Sequence, residues 1–319
     1  MAWQRPDVLR PYIMNKNWMI VLLIAASLYF YWKNDRETPK ERTPVRARAQ
    51  VQSTPQTAPT LSPSSALPQL ATTKALAPAS APQLQEISKN PENSRRKDVA
   101  KFVLDEGLAV IQGDLVVGVP TEENPDDAGL VLLPKIDPWR SNVIPYYIQP
   151  TVKNPERVLQ ALELFRGTAI QFVPYTDQQD VLVFEDSSGI CKSYVGRIGG
   201  KQPIWIPPGC EAAEVAHEIM HALGFVHEQN RADRDQFIQV LDDAIKEEFK
   251  NNFDLLPASM MKLSGLESFD FESLMMYPPT MFAKSSAPTM VSKIPSREIR
   301  PSEFLSPKDR VRINKAFGP

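Results

Sequence analysis

The chain has 319 residues, 42% of them hydrophobic, and a formal net charge of −2, so its length permits two domains and its charge gives no sign of a nucleic-acid partner. The first ninety residues are net basic and the remainder is net acidic, a balance that an ordinary solvated surface explains. There are two cysteines and three histidines, and all three histidines fall within eleven residues.

The N-terminus contains one strongly apolar run, residues 18–32, behind a short basic segment, residues 1–17. As a helix these 15 residues would extend about 22 Å, less than the roughly 30 Å hydrocarbon core of a bilayer, so the hydrophobic region of a cleaved signal peptide is an alternative. Aromatic residues at both ends, flanking Lys16 and Lys33, and no small-residue cleavage triplet directly after the run favour an uncleaved membrane anchor. More lysines and arginines follow the run than precede it, which by charge count alone would leave the remainder of the chain in the cytoplasm.

Residues 33–96 are predicted to be a disordered linker. Proline, alanine, serine, threonine and glutamine dominate its central part, and such a segment cannot bury enough apolar surface to offset its ordering entropy. A polyproline ligand segment is an alternative to a plain tether. Two regions follow: a shorter segment at residues 97–134 and a larger domain at residues 135–319.

The segment in front of the larger domain is predicted to begin with a short helix. Residues 99–106 would form that helix, and Gly107 would end it. Two strands are then expected, at residues 110–111 and 115–117. Gly113 and Asp114 lie between these strands, where the pair is typical of a hairpin turn.

The larger domain is predicted to start with a helix followed by strands. Asn154 as the cap, Pro155 at the first helical position and Glu156 in the first turn indicate where the helix begins. The face that should enter the core consists of Val158, Leu162, Phe165 and Ala169. Strands are expected at residues 170–173 and 181–184. This order of elements indicates an α+β subdomain.

The histidines form a metal-binding pattern. His217 and His221 are about one helical turn apart on the same face, so their imidazoles can share one ion. Gly224 can end the helix in a left-handed conformation and turn the chain back, which lets His227 supply a third ligand. Glu218 lies roughly 100° round the helix, within reach of a metal-bound water. Three neutral nitrogens with an open fourth position are typical of catalytic zinc, so the sequence predicts a zinc peptidase; a plain amphipathic helix is the alternative.

Two longer stretches narrow the class of zinc enzyme. Residues 225–235 continue the histidine motif and closely resemble the extended motif of the astacin branch of the metzincins. Residues 269–277 resemble the Met-turn of that family, although Met276 stands where the family usually has histidine. Shorter similarities lie at residues 144–148, 191–210 and 305–314. The resemblance covers about residues 139–317 in all.

The resemblance implies a metzincin or zincin-like α+β catalytic domain in which two subdomains flank a zinc cleft. Met275 would form the hydrophobic base under the metal, and Tyr277 would be a switchable fifth ligand that hydrogen-bonds the oxyanion. Cys191 and Cys210 would form a disulfide, which implies an oxidising compartment. An edge strand near residues 204–206 would bind an extended substrate by strand addition.

The resemblance also extends to residues 97–134, which therefore form a propeptide-like segment. Residues 111–115 are similar to the Phe-x-Gly-Asp motif of astacin propeptides, whose aspartate binds the zinc of the latent enzyme. Asp114 would therefore take the fourth zinc position, and a cut near Lys135 would activate the chain. Glu228 would then receive the new N-terminal amine. A hairpin turn without an inhibitory role is the alternative for Asp114.

These features together predict a zinc metalloendopeptidase that is made as a membrane-tethered latent precursor. One zinc ion would be held by the three histidines, and Glu218 would be the general base for a zinc-bound water that attacks a peptide bond. The expected partners are protein or peptide substrates and, through the N-terminal segment, a membrane. The catalytic domain would lie on the non-cytoplasmic side, or be secreted if the N-terminal segment is cleaved. An inactive peptide-binding module and a membrane-tethered scaffold are the rival functions.

Overall fold

The computed structural model of the chain describes residues 82, 86–87, 98–120 and 128–319. The predicted anchor at residues 18–32 and nearly all of the predicted linker lie outside these residues. Within the part of the chain that is described, no helix has the length and apolar content needed to cross a bilayer.

The described residues form a mixed sheet of ten strands, a small second sheet and three α-helices. The ten strands are β1 (Glu86–Ile87), β2 (Val99–Asp105), β3 (Leu108–Ile111), β4 (Leu115–Gly118), β5 (Ala128–Leu132), β6 (Val143–Ile148), β7 (Gln171–Pro174), β8 (Val181–Glu185), β9 (Lys192–Tyr194) and β10 (Lys201–Trp205). The second sheet pairs β11 (Ile238–Val240) with β12 (Met290–Ser292). The helices are α1 (Glu156–Leu164), α2 (Ala212–Leu223) and α3 (Pro307–Phe317).

The large sheet has two parts, which meet where β4 pairs with β9. Its strand order is β1-β5-β2-β3-β4-β9-β10-β8-β6-β7. Strands β6, β7, β8 and β10 are parallel to one another, and β9 is antiparallel to β10. The first five strands form an antiparallel ladder. Strand β4 runs parallel to β9, so the propeptide-like segment continues the sheet of the larger domain.

Helices α1 and α2 pack against the parallel part of the sheet. Val158 and Phe165, from α1 and its C-terminal end, share one buried cluster with Ile219 of α2 and with Leu182 and Ile204 of the strands. Fully burying each such side chain contributes roughly 1.5–3 kcal/mol. The predicted α+β class is therefore confirmed, as are the strands expected at residues 110–111, 115–117, 170–173 and 181–184.

Helix α2 carries two of the histidines, and local sequence fixes both of its ends. Glu211 and Glu214 form a capping box at its N-terminus. Gly224 ends the helix with φ of +107°, in the left-handed region that residues with a Cβ rarely adopt. A Cβ there would also lie 2.9 Å from Leu263 and 3.1 Å from Ile136. The predicted turn after the histidine helix is confirmed.

The prediction of a helix at residues 99–106 is wrong, because this stretch is strand β2. It pairs with β3 on one side and with β5 on the other, so its backbone groups bond to neighbouring strands. Phe102 is 2% exposed and Val103 is 50% exposed, the alternation of a strand that buries one face. Gly107 belongs to the hairpin turn between β2 and β3 instead of ending a helix.

Two further expectations need correction. Asn154 does not cap α1: it has φ of +53°, and the capping position is Pro155 without a side-chain hydrogen bond. The strand near residues 204–206 is not an edge strand, because β10 lies between β8 and β9. Within the larger domain β9 and β7 are the two edge strands of the sheet, and β4 pairs with the outer edge of β9.

Candidate metal centre

The three histidines meet at one point, as their spacing predicts. The Nε2 atom of His227 lies 3.0 Å from Nε2 of His217 and 3.2 Å from Nε2 of His221. Nitrogen ligands bonded to one tetrahedral zinc are about 3.3 Å apart, since each Zn–N bond is about 2.0 Å. The imidazoles are therefore spaced as one small ion requires.

Backbone carbonyls fix which nitrogen of each α2 histidine faces this point. Nδ1 of His217 lies 2.8 Å from the carbonyl oxygen of Leu274, and Nδ1 of His221 lies 2.8 Å from that of Phe225. A carbonyl can only accept a hydrogen bond, so each Nδ1 carries the proton and each Nε2 has a free lone pair. Buried lone pairs that converge repel each other unless a cation lies between them. The donor set suits zinc.

Asp114 completes a four-ligand cluster with the histidines. Its Oδ2 atom lies 3.2 Å from Nε2 of His227 and 3.5 Å from Nε2 of His217, and its Oδ1 atom lies 3.5 Å from Nε2 of His221. Burial by itself would raise the pKa of Asp114, but the adjacent imidazoles hold it well below its usual range. The carboxylate lies where a fourth zinc ligand would be.

Glu218 lies beside the cluster without belonging to it. It is 2% exposed, and its Oε2 atom is buried without a hydrogen-bond partner among the described residues. Burial, together with the charge of Asp114, raises the pKa of the Glu218 carboxyl well above its usual value. A carboxyl with a raised pKa holds a proton more readily than an ordinary carboxyl, as a general base requires.

Tyr277 reaches the same point from the Met-turn. Its ring centroid is 4.8 Å from that of His227, and its hydroxyl donates a hydrogen bond to the carbonyl oxygen of Gln112. A Cβ on Gly113 would lie only 2.8 Å from this hydroxyl, and Gly113 has φ of +93°, so the position requires glycine. The propeptide-like segment thus contacts both the histidines and Tyr277.

Met275 is 1% exposed in the cluster that contains α2, and its carbonyl oxygen accepts a hydrogen bond from the backbone of Glu228 at 3.0 Å. Asp309 of α3 holds the turn, since its carboxylate accepts hydrogen bonds from the Ser273 hydroxyl at 2.6 Å and the Leu274 amide at 2.9 Å. Sequence reasoning missed this role of Asp309. The capping sequence at the start of α3 signals only its local bonds.

Glu228 is fully buried and already has cationic partners. Its Oε1 atom lies 2.8 Å from Arg312 and 3.5 Å from Arg231, and its Oε2 atom accepts a hydrogen bond from the Asp270 amide at 2.9 Å. Burial raises the pKa of Glu228 to about 7, against the opposing effect of the two arginines. The expectation that Glu228 receives a new N-terminal amine stays a prediction, and that amine would have to compete with Arg312.

Strand β9 borders the cluster, and a disulfide secures it. Ser193 donates a hydrogen bond from its hydroxyl to the backbone carbonyl of Glu218 at 2.9 Å, which joins β9 to α2. The predicted disulfide between Cys191 and Cys210 is present, and it closes a loop that contains β9 and β10. On the edge of β9 that faces away from β10, the Ser193 amide donates a hydrogen bond to the backbone oxygen of Asp114 at 3.2 Å.

Comparisons with known proteins agree with this geometry. A family model described as Astacin, a family of peptidases, matches residues 133–318. Zinc metalloproteinase nas-14 of Caenorhabditis elegans is 32% identical over 186 residues, which make up 56% of this chain and 37% of that protein. Zinc metalloproteinase nas-6 of the same nematode is 37% identical over 186 residues, or 56% of this chain and 53% of that protein.

Two further relatives align over different fractions of this chain and of their own length. Meprin A subunit alpha of Mus musculus is 32% identical over 230 residues, or 70% of this chain and 29% of that protein. The structure of high choriolytic enzyme 1, a hatching enzyme zinc-protease from Oryzias latipes, aligns with a TM-score of 0.49 and 29% identity over 56% of this chain and 92% of that chain. The chain spans between 29% and 53% of the length of the three curated relatives. Because the family model covers more than half of the chain and includes all three histidines, the chain belongs to the astacin family of peptidases.

Proposed function

We propose that the chain is a zinc-dependent metalloendopeptidase that hydrolyses protein or peptide substrates. The observation that carries the proposal is the convergence of three histidine Nε2 atoms beside a buried carboxyl, Glu218, that is not one of the ligands. Membership of the astacin family supports it. The names of the matched relatives are consistent with it, since each of the two nematode proteins is called a zinc metalloproteinase.

The residues divide the chemistry between them. A zinc ion held by His217, His221 and His227 would supply a Lewis acid that makes water more acidic and polarises a carbonyl. Glu218 lies buried beside the ligands with its Oε2 atom unpaired among the described residues, and it takes the proton from the attacking water and passes it to the leaving amine. Tyr277, once its hydroxyl is free of Gln112, donates a hydrogen bond to the tetrahedral oxyanion.

We also propose that residues 97–134 keep the full-length chain latent. Three contacts support this role: the carboxylate of Asp114 at the fourth ligand position, the hydrogen bond from Tyr277 to Gln112, and the pairing of β4 with β9. Asp114 excludes water from the metal, and β4 covers the strand edge along which an extended substrate would pair.

For location, we propose that the catalytic domain lies outside the cytoplasm, held by residues 18–32 as an anchor or released if that segment is cleaved. The disulfide between Cys191 and Cys210 supports an oxidising compartment. Membrane fractionation of the native protein, followed by N-terminal sequencing, distinguishes the two forms. An N-terminus near residue 1 in the membrane fraction supports the anchor, and one shortly after residue 32 in the soluble fraction supports cleavage.

A single experiment tests the enzymatic proposal against its rivals. The chain is cut by trypsin, freed of trypsin and of the propeptide-like segment, and incubated with denatured casein, with and without a zinc chelator. Cleavage that the chelator abolishes and added zinc restores supports the proposal. Zinc binding without casein cleavage would instead identify a peptide-binding module. If the chain neither binds zinc nor cleaves casein, the scaffold function is the one that remains.

A further inference from the structure

Lys192 is a buried cation that takes no part in the metal centre. Its side chain is 0% exposed, although it lies in β9, an edge strand of the larger domain. The Nζ atom contacts Oδ2 of Asp105 and lies 2.8 Å from Oε2 of Glu106. Both carboxylates belong to the tip of the hairpin between β2 and β3, within the propeptide-like segment. A buried ammonium group requires such partners, because an unpaired buried charge is costly.

The partners of Lys192 therefore belong to a segment that activation would remove. The larger domain contributes Ser188 to this contact, and Ser188 donates hydrogen bonds to Oε1 of Glu106 from its amide at 2.9 Å and its hydroxyl at 2.6 Å. Ser188 thus binds one oxygen of the Glu106 carboxylate while Lys192 binds the other. Together they form a carboxylate-binding site that the chain's own acidic hairpin fills in the uncut protein.

This carboxylate site lies on the face of the sheet away from α2. Ser193 contacts α2, and successive side chains of a strand point to opposite faces, so Lys192 and Tyr194 point the other way. Both adjoin the ring of Trp205: Nζ of Lys192 is 5.9 Å from its centroid, and the Tyr194 ring is 5.6 Å away. The site is therefore distinct from the position beside the metal.

Tyr194 gives an independent sign that a polar ligand belongs on this face. It is 2% exposed, and its hydroxyl is buried without a hydrogen-bond partner among the described residues. The propeptide-like segment covers it with the apolar side chains of Val110 and Val116. A buried hydroxyl without a partner is unfavourable, so the present cover satisfies the lysine and leaves the tyrosine unsatisfied.

We propose that, in the processed enzyme, Lys192 with Ser188 and Tyr194 forms a subsite for an aspartate or glutamate side chain of the substrate. The proposal rests on the proposed peptidase function. A substrate that pairs with the edge of β9 places alternate side chains on the face of Lys192 and Tyr194. Asp105 and Glu106 of the hairpin occupy this site in the uncut chain, so the same contact that holds the segment would recognise acidic substrates after its removal.

The test measures the cleavage of matched peptide substrates by the trypsin-cut chain after the propeptide-like segment has been separated. Pairs of peptides differ only by glutamate or glutamine at one position, and the position is moved along the peptide. Wild type should favour glutamate by about tenfold in kcat/KM where the side chain faces Lys192, since one charge-assisted hydrogen bond corresponds to that ratio. Lys192→Gln should abolish the preference, Lys192→Arg should keep it, and Lys192→Glu should reverse it in favour of glutamine.

Lys201→Gln is the matched control, because it removes a lysine from the neighbouring strand β10 and should leave the preference unchanged. Casein cleavage by each cut variant shows that it is folded and active. No preference for glutamate in the wild type overturns the proposal whatever the variants do, and so does a preference that survives in an active Lys192→Gln. If the cut wild type does not cleave casein, the peptidase proposal itself has failed.

Discussion

Single side chains in the metal centre have separable roles. His221 and Glu218 share one helix, yet Nε2 of His221 meets the other imidazoles while the carboxyl of Glu218 lies outside the ligand cluster. We expect Glu218→Gln to retain zinc and to lower kcat by about 10²–10⁴-fold, the usual contribution of a general base. His221→Ala should lose both zinc and activity. Zinc content and casein hydrolysis measure the two effects, and equal zinc loss in both variants would contradict this division of roles.

The histidine site could be predicted because its geometry is local. His217 and His221 are fixed by the helical repeat, and the turn that returns His227 depends on the conformation of Gly224. The resemblance to astacins was needed for Asp114 and Tyr277, which are brought in by distant parts of the chain. Contacts specific to this chain had no such signal, and the bond from Lys192 to Glu106 joins residues 86 positions apart.

At the scale of elements, the hairpin of β2 and β3 shows why a short segment was assigned to the wrong class. The run that forms β2 has no strong intrinsic preference, and its strand conformation depends on neighbours on both sides. The prediction that Asn154 caps α1 failed because this residue has a left-handed backbone conformation just before the helix, and Pro155 occupies the capping position. Strand β8 was predicted correctly because four apolar residues, two of them β-branched valines, form a run of strand length.

The tip of this hairpin should make the stability of the uncut chain depend on pH. Hydrogen bonding to Lys192 and Ser188 lowers the pKa of Glu106 from its usual 4.5 to about 2. Because the folded pKa is depressed, the stabilisation is complete above pH 4.5 and is lost as the pH falls toward 2. Glu106 is partly exposed, so Glu106→Gln should cost about 1 kcal/mol at pH 7.

The measurement is the difference in unfolding free energy between wild type and Glu106→Gln, taken at pH 7 and near pH 2. That difference should shrink at the lower pH, because the wild-type carboxylate is then about half protonated in the folded protein and almost fully protonated in the unfolded chain. Glu303→Gln serves as the control, since it removes an exposed carboxylate outside the hairpin. A difference that is equal at the two pH values would show that charge does not hold the hairpin.

The disulfide should stabilise the loop that contains strands β9 and β10. It links residues 19 apart, and a loop of this length corresponds to about 3 kcal/mol of stabilisation. We expect Cys191→Ser combined with Cys210→Ala to lower the unfolding free energy in urea by about this amount. Reduction of the wild type should reproduce the loss and leave the double variant unchanged. A variant as stable as the oxidised wild type would show that the hydrogen bonds of β9 and β10 suffice.

For the described part of the molecule, the notable feature is that the propeptide-like segment and the larger domain share one sheet. Strand β4 pairs with β9, and the side chains of Phe102, Ile111 and Leu115 are buried in one cluster with Val226. Sequence patterns could not give this pairing, since it joins strands that are distant along the chain. If the segment keeps the uncut chain latent, as proposed, this pairing would be a second barrier to substrate, because removing the carboxylate of Asp114 leaves β4 on the edge of β9.

The connection between the two parts is suited to cleavage at Lys135. This residue is exposed, and residues 133–139 have no helix or strand. Just after it the chain is held firmly, because the Arg197 amide donates to the Asp137 carbonyl at 2.7 Å and the Trp139 indole donates to the Ala222 carbonyl at 2.9 Å. A cut there would leave the new N-terminus attached to the larger domain.

Activation of the whole chain should therefore require both barriers to be removed. Uncut wild type should be silent toward casein, and a trypsin cut after Lys135 followed by separation of the propeptide-like segment should give full activity. Lys135→Gln should resist this activation. Uncut Asp114→Ala should have measurable activity that stays below that of the cut enzyme, because it frees the metal position and leaves β4 in place. Full activity in uncut Asp114→Ala would mean that the carboxylate is the entire block. Silence in this variant, with an active cut enzyme, would mean that the block is steric and that Asp114 is only a turn residue.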